Sequence, residues 1–306
     1  MKKVAIVGYA QHPILENAGA LNEVELIMPV VHQLFDELGI SQNNIDFTCS
    51  GSCDYLQGAA FAFVEGLSAI QTNPPIKESH VEMDAAWAMY ESMLKIQMGD
   101  ADTALIYGFG KSSPGRLDSI ISLQMDPYYI SPLWPDRVSL AAIQARVLLE
   151  KNIITPEQMI TAVIEARTNS KNNKNALVTE LVDKEAYLAS EKISSPLNEF
   201  DCPPISDGSS AMIIASEEKA YELTDHPIFI EGIDHRIESS NIGSRDLSKP
   251  TGILASIEQL KLEKTKFDVA ELHTQFSHEV PYLQSVLNLS DVPTNLSGGP
   301  LVGNVM

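Results

Sequence analysis

Cysteine is scarce in this chain: three residues, Cys49, Cys53 and Cys202, in 306. That is too few for a disulfide framework in a chain this long, and it suits reduced thiols in a cytoplasmic protein. Cys49 and Cys53 have the spacing C-x-x-x-C with no second pair and no nearby histidine, so no metal centre is expected. Basic residues are also in deficit. Lys and Arg number 21 against 41 Asp and Glu, a formal net charge of −20. A protein that binds nucleic acid neutralises phosphates with a basic surface, and the densest basic stretch here, Lys171 to Lys174, is broken by two asparagines. Long hydrophobic runs are missing too. Nowhere do about 18 apolar residues pass without a charge, so no membrane span is expected. The apolar lead after Met1 is interrupted by Gly8 and Gln11, which is too short for the core of a secretion signal.

What is present is a repeated pattern. An apolar strand, Val4 to Val7, runs into Gly8; a helical stretch follows from Val24 to Leu38 and stops at Gly39; the chain then reaches Ile45-Asp46-Phe47. Later, Ile228 to Ile230 runs into Gly232, a helical stretch covers Ile253 to Leu260, and the chain reaches Phe267-Asp268-Val269. Both copies cover about 40 residues from strand to strand, the span of a βαβ unit. Between them, Ser79-His80-Val81 leads into a helix over Ala85 to Met98, stopped by Gly99, and then into the buried strand Thr103 to Gly108. Ser210 to Ala215 reads as another apolar strand. Apolar strands alternating with helices predict an α/β fold with sheets covered on both faces. Residues 112–200 differ: Pro114, Pro127, Pro132 and Pro135 and a polar stretch to Lys192 predict an insertion of loops with two or three helices. One of these is capped by Thr155 with Pro156 in its first turn and ends near Ser170.

Four segments then fall in an order that resembles the thiolase superfamily, most closely its lipid-transfer and sterol-carrier type. They are Gly99 to Leu105 followed by Gly108 and Lys111; Cys202 to Ala211; Glu271-Leu272-His273-Thr274-Gln275-Phe276-Ser277; and Asn295-Leu296-Ser297-Gly298-Gly299. The resemblance implies a thiolase fold, with duplicated βαβαβ halves in five layers and an inserted loop domain. Residues 1–111 and 201–222 would form the first half, 112–200 the loop domain, and 223–306 a second half whose C-terminal end reads as incomplete. It also implies a homodimer and, for relatives without the cysteine, an OB-fold, zinc-ribbon partner subunit.

Thiolases transfer acyl groups through a cysteine at a helix N-terminus, where the helix dipole favours the thiolate. By the family's spacing that position falls near Glu82, and the stretch from Ser79 to Trp87 contains no cysteine. Glu82 and Asp84 are therefore read either as helix-capping acids or as an acid or base in an acyl pocket. The resemblance makes His273 an oxyanion-hole donor or general base, with His278 beside it or facing solvent. Gly298 and Gly299 would let the backbone approach a thioester arm, Asn304 would stand near the family's second histidine, and Tyr129 and Trp134 would wall the acyl site. Coenzyme A enters as part of a thioester substrate, with no cofactor held by the chain. Three activities remain open: retro-aldol cleavage of a β-hydroxyacyl-CoA in lipid or sterol side-chain breakdown, acyl transfer from another nucleophile such as Cys53, and acyl-CoA or lipid binding without turnover.

Overall fold

The computed structural model describes residues 2–57, 61–72 and 75–305. They fall into two compact units. One holds the chain up to Gly115, Ser206–Ile233 and Val305; the other holds Arg116–Ile205 and Asp234–Asn304. The excursion out of the first unit runs from Arg116 to Ile205. Its residues pack with those of the C-terminal segment as a single unit.

The first unit is built on a six-stranded mixed sheet. Its strands are β1 (Val4–Gln11), β2 (Phe47–Ser52), β3 (Glu78–Glu82), β4 (Thr103–Gly110), β5 (Gly208–Ser216) and β6 (Ile228–Phe229), in the order β3-β2-β4-β5-β1-β6. β2 runs parallel to β3 and β4, while β5 is antiparallel to both β4 and β1. Every residue of β4 is buried, and its side chains divide with period two between the sheet's faces. Leu105, Tyr107 and Phe109 join a cluster with Ile27, Val31, Leu34 and Phe35 of helix α1 (Glu23–Leu38). Ala104 and Ile106 join the other, with Ala88, Met93 and Ile96 of helix α2 (Ala85–Gln97). α1 starts in a capping box between Asn22 and Glu25 and ends on Gly39 in the left-handed conformation, the stop expected from its sequence.

Two differences from the expected pattern have local causes. β1 does not stop at Gly8 but continues to Gln11; the pairing with β5 shifts between Ile6 and Gly8, and a Cβ at Gly8 would lie 2.8 Å from the Leu34 side chain. Glycine here admits close packing of α1 rather than a turn. In the second copy of the repeat, Ile228–Phe229 forms β6 but pairs with β1 at the edge of the first sheet. Phe267-Asp268-Val269 is not a strand: both apolar side chains are exposed, and an extended segment without a laddered neighbour gains neither hydrogen bonds nor burial. The adjacent Ala270 makes one parallel bridge to Thr294.

Close contact sets the position of α2. A Cβ on Gly51 in β2 would fall 2.3 Å from the carbonyl of Asp84, and one on Gly108 in β4 would fall 2.9 Å from the Ala85 Cβ. Two glycines side by side in the sheet, at paired positions of β2 and β4, therefore let the helix start press directly onto the strand backbone. The buried Asp207 ties the same unit together from its other end. Its carboxylate accepts N–H bonds from Ala18 at 2.8 Å and Ser113 at 3.0 Å and the Ser113 hydroxyl at 2.6 Å, while its backbone pairs with Leu15 in both directions.

The second unit contains α3 (Arg137–Glu150), α4 (Pro156–Ser170), α5 (Thr251–Leu260) and α6 (Glu279–Val286), together with the helices Leu117–Gln124 and Lys184–Ala189. α4 begins on the Thr155 cap and runs to Ser170, as its sequence predicts. Ala142, Ala145 and Leu148 of α3 pack with Phe276 and Tyr282, so the insertion and the 270–290 segment share a core. No described helix is long and apolar enough to cross a membrane.

Replacing Gly51 with alanine forces its Cβ into the Asp84 carbonyl, a backbone atom that cannot swing aside. The expected result is a loss of about 2 kcal/mol or more, read as a lower urea midpoint with an unchanged slope.

Candidate functional site

The start of α2 is built for capping. Asp84 stands at the N-cap in extended conformation, and its carboxylate accepts N–H bonds from Ala86 at 2.9 Å and Trp87 at 3.3 Å. Of the two readings left open by its sequence, the structure supplies the capping geometry in full. Glu82, the last residue of β3, accepts the Asp54 N–H at 2.9 Å, and its other oxygen lies 3.6 Å from Nε2 of His80. That imidazole is stacked on Phe63 at 4.0 Å and hydrogen-bonded through Nδ1 to the Ser50 hydroxyl at 2.9 Å.

All three thiols are held protonated. Burial pushes Cys49 up to about 12 and Cys202 up to about 11. Cys53 is also raised, first by burial and then by the Glu82 carboxylate beside it. A reactive cysteine needs the opposite environment, an electropositive one that favours the thiolate.

In the second unit, a cleft of about 200 Å³ opens between α3, α6 and the segment 238–253. His273 is exposed on its wall; Glu279, Tyr282 and Gln144 line its floor. The fold fixes His273 through its neighbours. The buried amide of Asn295 accepts the Leu272 N–H at 2.6 Å and donates to the Thr274 hydroxyl at 3.0 Å, gripping the chain on both sides of the histidine. Asn295 belongs to the Asn295–Gly299 stretch, so two of the segments singled out in sequence meet here. Glu271 is spent on that stretch as well, accepting from the Ser297 backbone at 3.0 Å and hydroxyl at 2.8 Å. Behind the next turn, the fully buried Asp201 accepts the Ser277 hydroxyl, the Tyr187 hydroxyl at 2.7–2.8 Å and the Asn198 N–H at 2.7 Å. Ser277 directly precedes His278 and Glu279, so this network anchors the start of α6.

The titratable groups around the cleft sit in contrasting environments. Glu238 and Asp246 are held below their ordinary range by hydrogen bonds, Glu238 from the Gly252 N–H and Thr251 hydroxyl, Asp246 from Ser248. Each also pairs with a base, Glu238 with Arg245 at 3.1 Å and Asp246 with Lys151 at 3.1 Å. Glu279 pairs with no such base among the described residues. Its carboxyl accepts the Phe276 N–H at 3.1 Å, yet burial pushes it up to about 7. Burial also keeps Tyr282 a phenol, raising it to about 12. Carboxyls driven apart in this way take different parts in acid–base chemistry: the depressed ones stay charged and the raised one exchanges its proton near neutrality.

The remaining expected residues are placed as follows. His278 neither joins His273 nor faces solvent. It is fully buried at the head of α6, 3.3 Å from the Gln144 amide, and burial alone drives it down to about 4, a neutral core histidine. Gly298 and Gly299 both have positive φ, and a Cβ on Gly298 would strike Val302 at 2.7 Å and the Ala166 carbonyl at 3.0 Å, so they serve the turn packed on α4. Asn304 is buried, with neither amide atom hydrogen-bonded among the described residues. Tyr129 and Trp134 are 74% and 56% exposed and stand outside the cleft; the turn that carries them is organised by Asp126, which accepts the Tyr128 and Tyr129 N–H groups. Sequence reasoning missed Glu279, Tyr282 and Gln144. Glu279 and Tyr282 were discoverable as the three-apart acid and phenol opening the helix after His273, whereas Gln144 lies on a helix remote in sequence.

No family model matches the chain. Among curated proteins it is 26% identical over 295 residues to an acetyl-CoA acetyltransferase of Methanocaldococcus jannaschii, a match covering 90% of this chain and 74% of that one. It is 25% identical over 211 residues to sterol carrier protein 2 of Bos taurus, covering 62% of this chain and 39% of the relative. Among solved structures, the Ltp2-ChsH2(DUF35) aldolase superposes with TM-score 0.76 at 19% identity, over 98% of this chain and 85% of the other. Human mitochondrial 3-ketoacyl-CoA thiolase superposes with TM-score 0.75 at 15% identity, over 98% and 87%. The fold is the thiolase fold, and the chain is thiolase-like.

His278 and Glu279 act on stability in opposite directions. Glu279, raised in the fold, contributes stability that is fully present below about 4.5 and lost as pH climbs through about 7. His278, lowered in the fold, contributes stability present above about 6.5 and lost as pH falls through about 4. Each is worth at most about 3 kcal/mol. The two windows overlap from about 4.5 to 6.5, where the gain from one group offsets the loss from the other, so a Tm series from pH 4 to 8 is expected to show a broad plateau there; Glu279→Gln makes Tm rise with pH across that range and His278→Gln makes it fall.

Proposed function

We propose that this thiolase-like chain acts on an acyl-CoA thioester and cleaves a carbon–carbon bond of a β-hydroxyacyl-CoA by retro-aldol chemistry, with no cysteine nucleophile. The observation that carries the reading is the state of the thiols: Cys49, Cys53 and Cys202 are all raised, and the α2 start holds a capping aspartate. Retro-aldol cleavage does not need a nucleophile. It needs a base for the β-hydroxyl and a donor for the oxygen on which the enolate charge develops. His273, exposed on the cleft and gripped by Asn295, is the donor in this reading. Tyr282, kept as a phenol, is a second hydrogen-bond donor in the same cleft.

The apolar portion of the substrate is read as a lipid or sterol side chain, after the resemblance to sterol carrier protein 2. A homodimer and an OB-fold, zinc-ribbon partner subunit belong to the same reading. The aldolase neighbour's name joins two components, Ltp2 and ChsH2(DUF35), which supports assaying the chain both alone and with such a partner.

Incubation with 3-hydroxyacyl-CoA esters, followed by mass spectrometry, is expected to yield a carbonyl product and a shortened acyl-CoA without added free CoA. The triple variant Cys49→Ala, Cys53→Ser, Cys202→Ala is expected to keep the rate within about threefold, while His273→Ala loses on the order of a hundredfold. Activity that requires Cys53 and leaves an acyl adduct on it would replace this reading with acyl transfer. Tight CoA-ester binding with no product under any condition would replace it with a carrier role.

A further inference from the structure

We infer that Glu279 is the proton shuttle of the cleft, a single carboxyl that takes the proton from the substrate hydroxyl and returns it to carbon. The inference rests on the acyl-CoA cleavage reading and assigns the base that reading leaves unnamed.

Geometry sets Glu279 apart from the other acids around the cleft. It is the first residue of α6, on a helix start fixed from behind by the Asp201–Ser277 contacts, so its position is set by the core and not by solvent-exposed loop. Glu238 and Asp246, on the facing segment, are committed to Arg245 and Lys151 and to the hydroxyls of Thr251 and Ser248. Among the described residues Glu279 accepts from backbone N–H groups alone, which leaves lone pairs for a substrate. The titratable groups that line the cleft with it are Glu238, Arg245, Asp246, Lys249, His273 and Tyr282. Burial of the carboxyl places its titration near neutrality, where one group both accepts and gives a proton with little bias.

The step balances with no further reagent. The Glu279 carboxylate removes the β-hydroxyl proton; the O–H electron pair becomes the second bond of the new carbonyl. The Cα–Cβ bond breaks, and its electrons move onto Cα and the thioester oxygen as an enolate. The protonated Glu279 then delivers the same proton to Cα, giving the shortened acyl-CoA and restoring the carboxylate. His273 hydrogen-bonds the enolate oxygen throughout and exchanges no proton.

Two measurements test this. The first is the pH dependence of cleavage by the full chain, with its partner where that is needed. Wild-type kcat rises with pH and levels off above about 7; Glu279→Gln lowers kcat at least a hundredfold with KM within threefold and removes that rise. Glu279→Asp restores part of the rate together with the rise, and His273→Asn is slower but keeps the rise. The second is exchange of the Cα hydrogens of a saturated short-chain acyl-CoA in D₂O, read by mass spectrometry, which needs no cleavable substrate. Exchange in the wild type and none in Glu279→Gln is expected, with thermal melting and acyl-CoA binding showing that the variant is folded. Cleavage or exchange that survives in Glu279→Gln with the wild-type pH profile overturns the shuttle and leaves the cleavage reading standing. A wild type that neither cleaves nor exchanges overturns both.

Discussion

Both units rest on one kind of interaction: a short, buried polar side chain that satisfies several chain segments at once. Asp207, Asp201 and Asn295 are each almost without solvent contact, and each joins stretches far apart in sequence. A buried carboxylate is costly unless its lone pairs are filled. Each of these sites offers little besides N–H and O–H donors at fixed positions, so the loops around it have few other ways to close. Longer side chains would lose more rotamer freedom in the same task. The apolar clusters supply the bulk of the burial, but they do not specify where loops 112–115, 197–201 and 270–277 run. The polar hubs do.

The same contrast between filled and unfilled acceptors organises the cleft chemically. Glu238 and Asp246 have cationic and hydroxyl partners and remain charged; Glu279, three residues from the phenol of Tyr282, is held by backbone donors and pushed up by burial. The three thiols sit in the second kind of setting without any compensating cation strong enough to favour thiolates. A carboxyl raised toward neutrality suits proton transfer, and thiols held high by burial are poor nucleophiles wherever they stand.

Much of the scaffold was legible in sequence because local signals and burial agreed. The Gly39 and Gly99 stops, the Thr155-Pro156 helix start and the apolar run of β4 all appear where the pattern put them. The segments around His273 and Asn295 were also singled out, and they meet through a side-chain amide. What misled was periodicity without a partner. Phe267-Asp268-Val269 has strand composition but no strand beside it, and Ile228–Phe229 is claimed by the edge of the first sheet. The aromatic pair Tyr129 and Trp134 looked like pocket walls, yet the turn at Asp126 leaves them exposed. Glu279 could be found by its spacing after His273, but its raised pKa could not, because that comes from burial in the folded chain.

Asp207 has one more implication, for how the chain is organised along its length. The polypeptide leaves the first unit just after Ser113 and returns at Ser206, and the carboxylate beside the return point holds the departure point directly. The two ends of a long excursion are thus fastened within the first unit itself. Loop-closure entropy grows only slowly with loop length, so once its ends are fastened the stretch between them can lengthen, shorten or change sequence at small cost to the sheet. The sheet of the first unit thus keeps its register through a clasp of its own, whatever the length of the chain that runs between Ser113 and Ser206.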